Sequence, residues 1–310
     1  MLKNSIKVLF GNLTTSWKVL LYKIIVLICV LGLTTVIIVP IISLLIKEGF
    51  FAELFNVFNE LTFNFNLEKL ILGVKYIIVN FWNIIVLNNL QVFAMLIGIL
   101  FVLLYYFVSG FYRLAVGECL NGYMGSFAKL SFTYSIVGNL KKSALYSLVR
   151  LITRLPSAVI IIVIGSLIFS SLSGMLSLAT IVTISYFIIM FSLLKTLFAG
   201  YECAIIKQDA GVFEAFKKSF KLTKQRFLRT LSDNIIITLF SFLLIMLSIF
   251  FTLGVGLLVV LPLIYMLNLS YSFVLYYDSL GSRYYLDSNN IFTPKKLEEH
   301  DSFKKVQDII

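Results

Sequence analysis

The chain has 310 residues, of which 60% are hydrophobic and only 13% are charged, and its formal net charge is +11 at pH 7. Soluble domains carry about 25% charged residues, so this composition excludes an ordinary soluble protein and indicates one polytopic membrane domain. The Lys and Arg residues lie beside apolar runs and form no separate basic domain, which argues against nucleic-acid binding and for contact with anionic lipid.

Few residues of the kinds that bind metals or attack substrates are present. Cys29, Cys119 and Cys203 are odd in number and widely spaced, and the single histidine, His300, lies in a polar tail. This pattern predicts no disulfide framework and no metal site. No phosphate-binding Gly-rich loop or nucleophile motif occurs, so we expect no catalytic residue, no cofactor and no enzymatic activity.

The chain begins with a basic amphipathic segment and a first membrane span. Residues 1–23 interleave Lys with apolar residues, which predicts a weakly interfacial helix. The next uncharged run predicts a span near 24–46, since a signal peptide has an apolar core of only about 7–15 residues. The connection 47–91 is rich in Phe, and we expect a helical segment that lies on the outer membrane surface or caps a cavity.

Three further spans are predicted near 92–112, 155–172 and 175–194. The last two share one uncharged run of about twice the ~20 residues that one span needs, divided by a Ser- and Gly-rich turn. Arg150 and Arg154 precede this run, so we expect both guanidiniums to face headgroups and Pro156 to lie in the first turn of the span. Before them, residues 125–145 repeat the amphipathic pattern.

The strongest amphipathic segment covers residues 211–231. Its aromatic residues share one helix face, and its cations share another. The aromatic face holds Phe213, Phe216, Phe220 and Phe227, and the basic face holds Lys218, Lys221, Arg226 and Arg229. A helix of this kind lies in the plane of a bilayer whose anionic headgroups attract its cations. The alternative is a linker helix packed on its neighbours.

The last apolar run, from Asn234 to Tyr277, is again about twice the ~20 residues of one span. A turn at 252–256 with two glycines divides it into spans near 234–251 and 256–277. Residues 281–310 then form a polar cytoplasmic tail. We therefore predict a single membrane domain over 1–280.

The fold class predicted is all-α: six transmembrane helices as three hairpins, each preceded by an interfacial amphipathic helix. With the N-terminus inside, all Lys and Arg except Lys47, Lys69 and Lys75 lie on the inner side. This bias predicts that both termini are cytoplasmic.

Each even-numbered span ends with an acid near the inner boundary: Glu118, Glu202 and Asp278. An anion is unfavourable at a helix C-terminus, so either the helices continue or the acids have cationic partners. The candidate partners are Arg113, Arg150, Arg154 and Arg283. We favour structural ion pairs over a set of coupled carboxylates that handles protons or cations.

Few polar residues lie within the spans, notably Asn268 in the sixth and Thr183 in the fourth. Interhelical hydrogen bonding is their ordinary role, and a narrow polar path is the alternative. The main functional hypothesis is a non-enzymatic accessory or scaffold protein that contacts anionic lipid and an unknown protein partner. The second is a small transporter or lipid-handling permease, which a polar cavity lined by Asn268, Thr183 and the three acids would favour.

The layout resembles a loose group of uncharacterised six-span membrane proteins of Gram-positive bacteria. It is similar to the membrane domain fused to some glycerophosphodiester phosphodiesterases. The resemblance rests on the amphipathic segments, such as residues 213–220 (FEAFKKSF), and on the matching apolar register of Ile136 and Leu222. It implies a six-span architecture and a place in the bacterial cell membrane. No phosphodiesterase domain is present, so no catalytic residue is carried over.

Overall fold

The computed structural model describes residues 1–63, 67–252, 254–287 and 290–293. These residues form twelve helices and one two-stranded antiparallel sheet. In chain order they are α1 (Leu2–Gly11), α2 (Leu13–Lys47), α3 (Phe50–Phe63), α4 (Leu67–Leu87), α5 (Gln91–Ser126), α6 (Phe132–Gly138), α7 (Leu140–Ser171), α8 (Leu176–Leu197), α9 (Tyr201–Lys207), α10 (Val212–Gln225), α11 (Phe227–Thr252), α12 (Leu257–Leu280), β1 (Tyr284–Asp287) and β2 (Asn290–Phe292).

Within the described residues, six helical stretches are long and apolar enough to cross a membrane, which confirms the all-α polytopic fold. They are Leu13–Gly32, Val92–Ser126, Leu140–Ser171, Leu176–Lys207, Phe227–Thr252 and Leu257–Leu280. The apolar part of α4, Leu72–Leu87, is shorter. The described part of the connection 47–91 is helical, as expected, through α3 and α4.

The predicted turns between paired spans are present. One lies between Ser171, the last residue of α7, and Leu176, the first of α8. The other follows Thr252, and Gly254 adopts a φ of +89° there, a backbone conformation that glycine reaches without a steric penalty. Leu253, in the same turn, lies outside the described residues.

The predicted helix starts are wrong in three places, for one reason. Residues 1–23 are not one interfacial helix, since α2 begins at Leu13. Helix α7 begins at Leu140, so Pro156 lies inside the helix and not in its first turn. Residues 211–231 belong to two helices, because α10 ends at Gln225 and Phe227 begins α11. Backbone hydrogen bonding continues past the end of an apolar run, so hydropathy locates the span but not the helix.

Contacts divide the chain into two compact units. The first holds residues 1–23, 109–163 and 185–310, and the second holds 24–108 and 164–184. In the second unit, α3 packs on α4, where the Phe50 and Phe81 ring centroids lie 5.8 Å apart. Glu53 of α3 accepts hydrogen bonds from Asn80 and Tyr76 of α4. The prediction of a single domain over 1–280 stays a prediction.

The core of the first unit is unusually rich in buried tyrosine. Six tyrosines are at most 2% exposed: Tyr112, Tyr146, Tyr201, Tyr271, Tyr276 and Tyr284. Some hydroxyls of these and of other buried tyrosines form hydrogen bonds between segments that are distant in sequence. Tyr271 donates to Asp233 of α11 at 3.0 Å, and Tyr277 donates to Asn121 of α5 at 2.8 Å. These bonds hold α12 against α5 and α11.

The first and last described segments of this unit meet. Helix α1 packs against α12 and β1. The Asn4 amide donates to the Tyr284 hydroxyl at 3.0 Å. Tyr284 is buried. The β1–β2 hairpin that carries it was not predicted, and the tail beyond Thr293 lies outside the described residues.

Candidate functional site

Two of the predicted cationic partners, Arg113 and Arg154, converge on Glu202. Its Oε1 lies 3.2 Å from Nη1 of Arg113 and 3.9 Å from Nη1 of Arg154, and it accepts a hydrogen bond from the Tyr146 hydroxyl. The Glu202 side chain is only 9% exposed. The structure therefore brings one predicted acid together with two of its predicted cationic partners.

Local structure places each of these groups. Tyr146, Arg150 and Arg154 follow one another at four-residue intervals, so they share a face of α7. Gly200 has a φ of +82°, and this left-handed turn starts α9 with Glu202 in its first turn. A carboxylate is favourable there, because the N-terminal end of a helix is positive. Glu202 therefore does not place an anion at a helix C-terminus.

Aromatic rings cover the two guanidiniums. The Arg113 Cζ atom lies 4.9 Å from the centre of the Tyr265 ring, and the Arg154 Cζ atom lies 4.6 Å from that of Phe198. Arg150 is only 7% exposed. Arg150 and Arg154 were expected to face headgroups, and they turn instead toward the interior of the first unit. Burial with a carboxylate and aromatic faces lowers the cost of placing Arg away from water.

Beside Glu202 lies a polar cavity of about 250 Å³. Its lining residues come from α5, α7, α8, α9, α11, α12 and the turn before α9: Arg113, Arg154, Lys195, Phe198, Gly200, Glu202, Asn234, Ile264, Tyr265, Asn268, Leu269 and Ser272. Asn268 lines it as the transport hypothesis requires, but Thr183, Glu118 and Asp278 do not. The cavity thus holds one of the three predicted acids.

The amides at this site are held by further hydrogen bonds. Asn234 donates to the Thr196 hydroxyl at 2.8 Å, and its own carbonyl accepts from Ser192 at 3.2 Å. These bonds join α8 to α11. Asn268 instead donates to the Ile264 carbonyl of its own helix at 2.7 Å, so this hydrogen bond is not the interhelical one that its position suggested.

Glu118 and Asp278 have other surroundings. Glu118 accepts a hydrogen bond from Asn139 at 2.5 Å, and α5 continues beyond it to Ser126. Asp278 lies in the last turn of α12. In the described part of the chain, neither acid forms an ion pair. Arg283 is exposed just before β1.

Helix α10 has three distinct faces. Val212, Ala215, Ser219 and Thr223 form a buried face of small side chains, and the Ser219 and Thr223 hydroxyls donate to the Ala199 carbonyl at 2.8 and 3.2 Å. Next to it, Phe213, Phe216 and Phe220 are 71%, 40% and 49% exposed. The lysines of α10 lie beyond these aromatic residues, on the side away from the buried face.

The basic face of α10 also carries one acid, Glu214. Lys218 pairs with Glu214 at 2.8 Å, and this hydrogen bond and its charge lower the pKa of Glu214. Lys217, Lys221 and Lys224 are exposed. Of the remaining predicted surface residues, Phe227 and Arg229 belong to α11, and Arg226 is the residue between the two helices. The face predicted as one helix is therefore shared by two.

Sequence reasoning missed Tyr146 and Lys195. The four-residue spacing from Tyr146 to Arg154 was a usable signal for a polar face on α7. Lys195 ends an uncharged run and looked like an ordinary boundary lysine, but its Nζ atom donates to Thr238 of α11 at 3.1 Å and lines the cavity.

Among the described residues, no three His, Cys, Asp or Glu side chains group as metal ligands do. In comparisons with known proteins, no family model, no curated protein and no solved structure matches this chain.

Proposed function

We propose that the protein is a non-enzymatic accessory or scaffold protein of the bacterial cell membrane that contacts anionic lipid through α10. The observation that carries the proposal is the exposed row of Phe213, Phe216 and Phe220 beside exposed lysines. Exposed aromatics next to cations suit the boundary between acyl chains and anionic headgroups. Each lysine near such a surface contributes about 1 kcal/mol of attraction.

Two features of α10 fix which residues it presents at its surface. Its small-residue face is fixed by the hydrogen bonds to Ala199, so the helix is held in one rotation. Phe216 packs against Phe198 and Tyr201, at centroid distances of 5.6 and 5.9 Å, while Phe213 and Phe220 remain exposed. The helix therefore presents a fixed apolar edge and a fixed basic edge.

Lipid contact can be tested with a matched pair of double variants. We expect Lys217→Gln with Lys221→Gln to reduce the share of phosphatidylglycerol among the lipids that stay bound to the detergent-solubilised protein, measured by mass spectrometry. In the parent, this share should fall as salt rises, because exposed charges are screened. The control, Lys69→Gln with Lys75→Gln, removes two lysines from α4. An equal effect of both pairs would contradict the role of α10.

The proposed orientation has both termini in the cytoplasm. In a chain whose three native cysteines are replaced by serine, Asn56→Cys and Ser173→Cys should react with an impermeant thiol reagent added to intact cells. Lys221→Cys should react only after the cells are opened. All three positions are exposed, so burial does not decide the result. Labelling of Lys221→Cys in intact cells would reverse the orientation.

A second candidate function is a small transporter or lipid-handling permease. The polar cavity at Glu202, with Asn268 in its lining, favours it. Proton or cation uptake into vesicles that contain the purified protein would support this function, and we expect none.

A further inference from the structure

We propose that the cavity beside Glu202 binds a phosphate group, carried either by a free anion or by the headgroup of a phospholipid. This site is separate from the α10 surface, and the inference does not rest on the lipid contact proposed there. Its basis is the combination of excess positive charge, available donors and size.

The charge of the cavity lining is not balanced. The lining holds three cations, Arg113, Arg154 and Lys195, and one carboxylate, that of Glu202, which leaves two positive charges without an anion in the lining. The two guanidinium side chains are only 19% and 20% exposed. Partly desolvated cations are costly unless an anion compensates them. An anionic ligand would supply that compensation.

Hydrogen-bond donors remain available around the cavity. Arg154 lies 3.9 Å from Glu202, which is too far for a hydrogen bond, so its fork of N–H groups is not used by that carboxylate. Lys195 has three donors, of which Thr238 accepts one.

The donor types and their geometry favour a phosphate. A guanidinium offers parallel N–H groups that match two oxygens of a tetrahedral oxyanion, and a lysine adds a point charge. Glu202 positions Arg113 through the 3.2 Å contact, while Arg154 and Lys195 keep N–H groups that Glu202 and Thr238 do not use. Glu202 is therefore a positioning residue of this site, and the two other cations are binding residues.

The size of the cavity limits the ligand. A water molecule occupies about 30 Å³ of liquid, and pockets for whole small molecules run from about 300 to 1,000 Å³. At about 250 Å³, the cavity has room for a phosphate group with some water but not for an entire lipid. A phospholipid would place only its headgroup there, with its acyl chains outside.

The test measures thermal unfolding of the full chain in a neutral detergent while inorganic phosphate is added, against sodium chloride of equal ionic strength. Phosphate should raise the melting temperature of the parent, because a ligand of the folded state stabilises it. Lys195→Met should weaken the apparent phosphate affinity by about tenfold or more, the loss expected for one hydrogen bond to a charged group.

Two control variants separate binding from structure. Thr238→Val removes the hydrogen bond of Lys195 but keeps its charge, so phosphate should still stabilise this variant. Lys207→Met removes a half-buried lysine that lies over the Tyr277 ring outside the cavity, and it should leave phosphate affinity unchanged. An equal loss of affinity in Lys207→Met and Lys195→Met would overturn the proposal.

A lipid arm distinguishes the two sources of phosphate. Phosphatidic acid in mixed micelles should stabilise the parent at lower concentration than inorganic phosphate if the ligand is a headgroup, and at no lower concentration if it is a free anion. In both cases, Lys195→Met must reduce the effect. No stabilisation of the parent by either compound beyond that of chloride would refute the site, even if the α10 variants behave as proposed.

Discussion

Replacing Glu202 by glutamine is expected to lower the free energy of unfolding by about 3–5 kcal/mol, the cost of removing one partner from a buried ion pair. Glutamine keeps the volume and can still accept from Tyr146, so the loss isolates the negative charge. Arg113 would lose the carboxylate at 3.2 Å while it remains beneath the Tyr265 ring. Unfolding in mixed micelles with increasing SDS, followed by tryptophan fluorescence, measures the change.

Asp209→Asn is the matched control for this variant. Asp209 also pairs with a cation, Lys142, but its side chain is 83% exposed. Exposed pairs are screened by water and ions, so the unfolding curve of Asp209→Asn should overlay that of the parent. A Glu202→Gln protein that is as stable as the Asp209→Asn protein would show that the Glu202 charge is not structural. That result would favour the second candidate function, in which this acid serves transport.

Replacing Gly110 by alanine should destabilise the close approach of α5 and α7. A Cβ atom at Gly110 would lie 1.9 Å from Oγ and 2.7 Å from Cβ of Ser147, and 3.1 Å from its backbone Cα. No rotation of so short a side chain relieves all three contacts, so the helices must separate. Overpacking of this kind costs about 1–3 kcal/mol, more than the roughly 0.5–1 kcal/mol that alanine gains over glycine within a helix.

Gly98 provides the control on the same helix. A Cβ atom there meets nothing within 4 Å, so Gly98→Ala should leave stability unchanged or raise it slightly. Ser147→Gly should restore most of the stability that Gly110→Ala removes, because it takes away the side chain in the way. Additive effects of Gly110→Ala and Ser147→Gly in SDS unfolding would contradict the proposed contact.

Long apolar runs made the six spans predictable. The backbone must satisfy its own hydrogen bonds in lipid, so an apolar run of sufficient length has to be helical. The turns at 170–174 and 252–256 were predictable from the Ser and Gly residues that they contain. The exact start of α7 was not, because residues 140–154 are polar enough to lie outside a span yet continue its helix.

The site itself was only half predictable. Their positions at the ends of the spans identified Glu202, Arg113 and Arg154 as candidates. The sequence did not show which of the four cations pairs with which of the three acids. Glu202 acquires its partners through α9, a short helix that Gly200 starts with a left-handed turn. This turn sets the direction of α9 and so brings Glu202 to Arg113 and Arg154, which are distant in sequence. No periodic pattern in the sequence indicates such a turn. Lys195 was missed since its role depends on Thr238, which lies on a different helix.

The packing of α1 on α12 has a consequence for biosynthesis. A ribosome delivers α1 well before its partners α12 and Tyr284, which emerge after the spans that lie between them. At about 5–20 residues per second, α1 waits on the order of tens of seconds beside a growing set of helices. During this time its inward-facing side, which includes Val8 and Leu9, is uncovered. A ribosome that stalls before α12 therefore leaves the apolar side of α1 exposed at the membrane. A protease or a chaperone can recognise the unfinished chain by this exposed side.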